Sequence, residues 1–334
     1  MRPKGASVTT LKDVARHAGV SPSTVSYVFN GKKKVRPETA KRIYDAIEAL
    51  DYHPNFAARS LKTSHTNSVG IVIPDFSNIF YVDVLSGIES RLVQDGYSSI
   101  VSNSRNSADA EREILESLVH RSIDGIILLG TGTDTAQTIA ELAVPVVSVD
   151  RVTAQSVNSV SVDNEMGGYL GARYLLDKGL RNITFIGFNE HFSSGSRREG
   201  CLKAYAEVGI DPEPHFRYIE TEISPEHGYQ ITMDLFADTA ERRIEAIFAG
   251  TDYVAFGVLR ALSDLDVAVP GDVAVVGYDD LLLSQFTVPR LTTIGQPARR
   301  MGIAAADMLL GLLHDDRTTH RLTLQPTLVV RDSA

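Results

Sequence analysis

Thr10-Leu-Lys-Asp-Val-Ala-Arg-His-Ala-Gly-Val-Ser-Pro-Ser-Thr-Val-Ser-Tyr-Val-Phe-Asn30 reads as two short capped helices joined by a tight turn. Thr10 can cap the first helix, with Asp13 three residues on completing a capping box. Leu11, Val14 and Ala15 then share one face. Gly19 lacks a Cβ and permits a sharp turn. Ser21 caps again, and Pro22 takes the first helical position, where its missing N–H costs nothing. The second helix is expected to run to about Asn30 and close at Gly31. Val25 and Val28 point inward, leaving Ser23, Thr24, Ser26 and Tyr27 outside. Pro37 opens a third helix, whose Ile43, Ala46, Ile47 and Leu50 complete a small core. A helix, a Gly-centred turn and a polar second helix make a helix-turn-helix, which lays its second helix in the major groove.

The charge divides the chain in the same place. Residues 1–62 carry twelve Lys/Arg and five Asp/Glu, a balance of +7, and the remaining residues of the 334 carry 21 and 37, a balance of −16. Such asymmetry points to a polyanionic partner for the head alone. A solvated charged surface is the alternative for an isolated run such as Lys32–Lys34. Cys201 is the only cysteine, which excludes an intrachain disulfide or a thiolate metal cluster. No apolar leader or 18-residue apolar run occurs, so a cytoplasmic protein without a membrane segment is expected.

Leu11-Lys-Asp-Val-Ala-Arg-His-Ala-Gly-Val-Ser21, Thr24-Val-Ser26, Asn30-Gly31, Tyr52-His-Pro-Asn55 and Ala58-Arg-Ser-Leu61 resemble the motifs of the LacI/GalR family of bacterial repressors. The resemblance covers nearly the whole chain. It implies that Pro22, Ser23 and Tyr27 occupy base-reading positions. Thr10, Ser21, Thr24, Ser26, Asn30 and Lys34 fall at caps, phosphate contacts or flanking positions. Arg36 departs from the pattern, because the family usually caps its third helix with Ser or Thr. The basic segment Asn55–Lys62 is too short to hold a helix alone. The resemblance implies that it folds on DNA, with Asn55, Ala58 and Lys62 at the duplex and Leu61 entering the minor groove to kink it. A plain interdomain linker is the alternative reading of that segment.

From Ser68 onward, short apolar strands alternate with amphipathic helices. Strands are expected at Ser68–Ile73, Ser98–Ser102, Asp124–Leu129, Val144–Val149, Ile183–Gly187, Ala246–Ala249 and Val273–Gly277, with helices at Phe80–Gln94 and Glu111–Val119 between the first of them. This rhythm means parallel sheets covered on both faces, in two sets. The fold class expected is therefore α/β: a small all-α helix-turn-helix head plus a body of two parallel-sheet lobes, which the family resemblance implies is periplasmic-binding-protein-like. The expected divisions are 1–54 for the head, 55–67 for the hinge and 68–334 for the body. The N-lobe takes about 68–162 and 293–323, and the C-lobe about 163–292 and 324–334. The resemblance implies three chain crossings, placed near Val162, Thr292 and Thr323.

Ligands of open parallel sheets bind beyond the carboxyl ends of the strands. That rule selects Asp75, Phe76, Asn78, Phe80, Tyr81, Asp150 and Arg151 in one lobe. In the other it selects Ser193, Ser194, Ser196, Arg197, Thr251, Asp252, Tyr278, Asp279 and Asp280. Carboxylates accept paired hydroxyls, Arg197 donates in a planar fork, and Phe80 or Tyr81 can lie on a ring face. The resemblance maps Asp150, Arg197 and Asp279 onto effector contacts and Phe80, Tyr81 and Ile223 onto the pocket wall. Thr251 stands where several sugar-responsive members have Asn. Asp252 and Asp280 are expected to cap helices, and Arg198 to be a surface charge.

No metal-ligand spacing, phosphate loop or nucleophile–base pair stands out, so neither enzyme activity nor a cofactor is expected. The expectation is a regulator that binds double-stranded operator DNA as a homodimer under control of a small effector, a sugar or polyol. The rival is a sugar-binding receptor with no DNA role. Inducer- and corepressor-controlled members share these motifs.

Overall fold

The computed structural model describes residues 9–30, 35–52, 65–129, 139, 141–150, 158–188, 193–237, 243–314, 318 and 320–334. Contacts divide the chain into Met1–Thr66 and Asn67–Ala334, two compact units.

The smaller unit holds α1 (Leu11–Ala18), α2 (Pro22–Asn30) and α3 (Pro37–Ala49). Both halves of the Thr10–Asp13 capping box form, and Gly19 takes the left-handed conformation at φ 62°. Ser21 Oγ accepts from the Thr24 amide at 3.2 Å, capping α2. Val14, Ala15, Val25, Ile43 and Ala46 are buried together, with Val28, Ile47 and Leu50 packed on them. Tyr52, read in the sequence only as part of a motif, belongs to this core as well. Arg36 makes no side-chain cap bond to α3. Arg42 donates to the Ala18 carbonyl at 2.5 Å and to Gly19 O at 3.2 Å. One of the twelve head cations thus answers the carbonyl end of α1.

In the larger unit, the first sheet uses β1 (Ser68–Ile73), β2 (Ser98–Asn103), β3 (Gly125–Leu128), β4 (Val146–Val149) and β5 (Asn158–Val162). Helices α4 (Ile79–Leu92) and α5 (Ala108–His120) connect its early strands. The chain then enters the second lobe through α6 (Asn164–Asp177), β6 (Ile183–Gly187), α7 (Ser193–Glu207), β7 (Phe216–Glu220), α8 (Pro225–Ala237), β8 (Ala246–Ala249), α9 (Asp252–Asp264), β9 (Ala274–Asp279) and β10 (Thr292–Gly295). It returns as α10 (Ala298–Leu313) and β11 (Arg321–Leu324), and crosses once more to β12 (Thr327–Val329).

The sheet orders are β11-β5-β4-β3-β1-β2 and β12-β10-β9-β8-β6-β7. Every pairing is parallel except β10 with β12. The second crossing comes at Gln296-Pro297, after Gly295, and not near Thr292 as expected. Thr292–Gly295 is a buried parallel partner of β9 and stays with the second lobe. The last crossing follows Leu324, near Thr323 as expected, which is itself still paired with Ser161 in the first sheet.

Three helix pairs share one packing device. A Cβ on Gly87 would lie 2.2 Å from Arg299 O, and one on Gly302 would lie 2.0 Å from Val84 O. The same reciprocity joins α6 to α7, where Gly168 faces Arg197 O at 1.8 Å and Gly200 faces Glu165 O at 1.9 Å. It joins α8 to α9 through Gly228 against Val254 O and Gly257 against Pro225 O. In each pair the backbones touch where a side chain would otherwise stand. Among the described residues, no helix is long and apolar enough to cross a membrane.

Candidate functional site

On the head, Pro22 and Ser23 are exposed at the start of α2, and Tyr27 is 37% exposed one turn later. Thr24 and Ser26 are half-buried. Ser21 Oγ lies 2.7 Å from Ser23 Oγ and 2.8 Å from Thr24 Oγ1, so the cap also engages two hydroxyls of this face. Thr10 is exposed and donates its hydroxyl to Asp13 at 2.6 Å. Those Thr10 bonds, with Arg16 nearby, hold the Asp13 carboxyl below its usual range. Asn30 ends α2. Lys34, Asn55, Ala58, Leu61 and Lys62 lie outside the described residues, as does Arg151.

In the body, a cavity of about 580 Å³ opens between the strand ends of the two sheets. Asp75, Phe80, Tyr81 and Asp150 line it from the first lobe, and Arg197, Ile223, Thr251 and Asp279 from the second. Asn78 and Ser193 line it too. Phe76 is half exposed and does not line it. Ser194 is buried, and its Oγ accepts from the Phe188 amide at 3.0 Å instead.

Arg197 is 2% exposed, carried into the cavity wall by α7. Its Nε donates to Asn164 Oδ1 at 2.8 Å and its Nη1 to Gly250 O at 2.5 Å. Its guanidinium lies 3.5 Å from the centre of the Tyr278 ring, a cation–π contact that fixes the plane of the fork. Asp279 ends β9 with φ 121° and accepts from Gln296 Nε2 at 2.6 Å. Burial pushes its carboxyl well above the usual range; Arg197 opposes the shift and Asp252 adds to it.

Asp252 and Asp280 are excluded from the cavity lining, but neither caps a helix. Thr251 caps α9, accepting from Val254 N at 3.3 Å. Asp252 is fully buried and receives Leu281 N at 2.8 Å, Ser284 Oγ at 2.5 Å and Thr293 Oγ1 at 2.6 Å. It ties the start of α9 to the segment after β9 and to β10, and burial pushes its carboxyl up to about 6 against those bonds. Asp280, at φ 56°, accepts from Arg331 at 2.5 Å. Arg198 is half-buried over the Tyr218 ring at 5.1 Å, a correction to its reading as a surface charge.

Sequence reasoning missed several lining residues: Phe188, Glu220, Thr221, Glu222, Tyr253 and Gln296. Tyr253 spans the cleft, its hydroxyl donating to Ser77 O of the other lobe at 2.5 Å. Among the described residues, no group of three or more His, Cys, Asp or Glu is placed to hold a metal ion.

The head matches the family model "Bacterial regulatory proteins, lacI family" over residues 10–55, and the body matches "Periplasmic binding protein-like domain" over residues 172–334. The chain is 35% identical over 331 residues to the HTH-type transcriptional regulator RegA of Clostridium saccharobutylicum, covering 97% of this chain and 99% of that one. The chain belongs to the lacI family. It is 34% identical to the HTH-type transcriptional repressor PurR of Photorhabdus laumondii subsp. laumondii, over 98% of this chain and 97% of the relative. The Lac repressor dimer bound to operator and the anti-inducer ONPF superimposes with a TM-score of 0.88 at 28% identity, covering 98% of this chain and 99% of that one. A CelR–cellobiose complex gives a TM-score of 0.73 at 28% identity, covering 98% and 100%. This lacI-family member is a DNA-binding transcriptional repressor with a ligand-binding body, and not an enzyme.

Proposed function

We propose that the protein grips a palindromic operator as a homodimer in the cytoplasm and releases or tightens that grip when a small polar effector, a sugar or polyol, enters the cleft. One observation carries the effector reading. Residues from the strand ends of both lobes converge on a single cavity, where the Arg197 fork, the Asp150 and Asp279 carboxyls and the Phe80–Tyr81 wall offer the groups a polyol needs. The volume of about 580 Å³ suits a small ligand. The related CelR is described as a cellobiose complex, which favours the same class.

The dimer reading rests on two supports. One helix-turn-helix has few base contacts, and two-fold symmetry matches a palindrome. The segment 282–288 also exposes Leu282 (62%), Leu283 (48%), Phe286 (69%) and Val288 (96%), an apolar strip that a second copy would cover. The proposed divisions are a head at 1–54, a hinge at 55–67 carrying the Leu61 wedge, and the effector body at 68–334.

The test uses the full chain and DNA palindromes that it selects from a random pool. Binding is followed by fluorescence anisotropy, with and without a panel of sugars and polyols. Affinity should fall steeply with salt. A cognate effector should change it by about 5- to 150-fold, the range of a coupling of ~1–3 kcal/mol. A protein that retards no palindrome at low salt refutes the operator reading. A selected palindrome whose affinity ignores every polyol refutes the effector class.

A further inference from the structure

The apolar strip proposed as the pairing face rides on a loop that is held from behind. The segment 281–289 leaves the second sheet after β9 and returns at β10. Its Leu282, Leu283, Phe286 and Val288 turn outward, while Ser284 has no exposed surface. The fully buried Asp252 carboxylate, at the start of α9, is the anchor for its middle. Leu281 N and Ser284 Oγ donate to Asp252 Oδ2 at 2.8 and 2.5 Å. The loop then closes on itself, with Leu291 N donating to Ser284 O at 2.8 Å and Thr287 Oγ1 to Pro289 O at 2.7 Å.

Both ends of the loop are clamped by residues that follow β12. Arg331 donates Nη2 to Asp280 at 2.5 Å and Nη1 to Leu291 O at 2.8 Å. Asp332 accepts from Nε and Nη2 of Arg290 at 2.6 and 3.0 Å. Asp332 N and Ser333 N each donate to Arg290 O at 3.0 Å. Exposed loops are ordinarily the mobile parts of a fold, because little holds them. This one is bonded at its start, its middle and its end. An interface element that is ordered before it meets its partner loses no further freedom on association.

We infer that Ser284 and Arg331 are positioning residues for dimerisation: with the Asp252 carboxylate they hold the segment 281–289 in the shape that a second copy meets. Ser284 is fully buried, so its hydroxyl acts on pairing only through the loop. The inference rests on the pairing face proposed above and adds what gives that face its form.

Fluorescence-detected sedimentation of the full chain without DNA, from picomolar to micromolar concentration, tests it. The dimer dissociation constant is compared for the wild type, Phe286→Glu, Ser284→Ala and Arg331→Met, with far-ultraviolet circular dichroism as the check on folding. Ser284→Ala removes one hydroxyl and Arg331→Met keeps an unbranched side chain, so the two perturb the loop from separate anchors. Each should raise the constant by about tenfold or more, because a two-fold dimer carries the loop twice, with circular dichroism unchanged. A role confined to the stability of the lobe would shift its unfolding and leave the constant alone. Phe286→Glu monomeric, with both anchor variants dimerising to within about twofold of the wild type, overturns this inference and leaves the pairing face standing. A wild type that stays monomeric across the series, or Phe286→Glu still dimeric, overturns the face and the inference together.

Discussion

Replacing Asp252→Asn isolates the cost of holding a carboxylate under the cleft. The group is fully buried and its carboxyl is raised from 3.8 to about 6. A carboxyl whose folded value lies above its unfolded one stabilises the fold while protonated. That contribution is complete below about 3.8 and is lost as pH rises through about 6. The full window is worth about 3 kcal/mol, and roughly half of it falls between pH 5 and pH 7.5. Asn cannot titrate. Its oxygen can still receive Leu281 N and Ser284 Oγ, and its Nδ2 can turn to Thr293 Oγ1, a hydroxyl able to accept. Urea unfolding of both proteins at the two pH values, followed by far-ultraviolet circular dichroism, measures the difference. Groups common to both proteins cancel to first order, except Asp279, which loses the Asp252 charge in the variant and so adds to the difference in the same direction. The variant should gain on the order of 1 kcal/mol on the wild type between pH 5 and pH 7.5. Parallel stabilities across that range, or a wild type that gains on the variant as pH rises, would refute the reasoning.

Gly168→Ala would set a methyl group 1.8 Å from the Arg197 carbonyl. It should destabilise the body by about 2 kcal/mol or more and weaken effector binding, since α7 carries Arg197; thermal unfolding with titration calorimetry reads both. Tyr253→Phe removes the hydroxyl that bonds Ser77 O across the cleft. Effector affinity should drop by about two- to twelvefold, the range of one hydrogen bond, while operator affinity without effector is kept; an unaltered effector affinity would show that the bond does not matter to closure. Phe286→Glu places a charge in the apolar strip of 282–288. Sedimentation should show a shift to monomer, and an intact dimer would exclude that face as the interface.

The head is readable from sequence because its signals are local. A capping box, a left-handed glycine and a proline at the first helical position each act within a few residues. Tyr52 lay beyond those signals, and only tertiary packing brings it to the core. In the body, β1, β3, β4, β6, β8 and most of β9 read as apolar runs because both their faces are covered. β5 is buried too, but alternates Asn and Ser with Val, and gives no such run. β7 and β11 lie at or near sheet edges and expose Arg217, Glu220 and Arg321. The missed strands explain part of the missed site. Thr221 directly follows β7 and Gln296 directly follows β10, so the strand-end rule would have chosen both had those strands been seen. Tyr253 stands in the first turn of α9, four residues after β8, where the same rule that chose Phe80 and Tyr81 in the first turn of α4 could have reached it.

The glycine-to-carbonyl contacts of α4 with α10, α6 with α7 and α8 with α9 leave no room for a side chain at the seams. Sliding one helix along its partner would drive a carbonyl into the next residue's Cβ, so each lobe behaves as a block. Freedom is left to the short connections, two of which share the dipeptide Gln-Pro: Gln296-Pro297 and Gln325-Pro326. Such a division of labour separates two kinds of inheritance. Descendants of this gene can acquire a taste for new metabolites by exchanging residues at the strand tips, with the machinery that transmits the message left untouched.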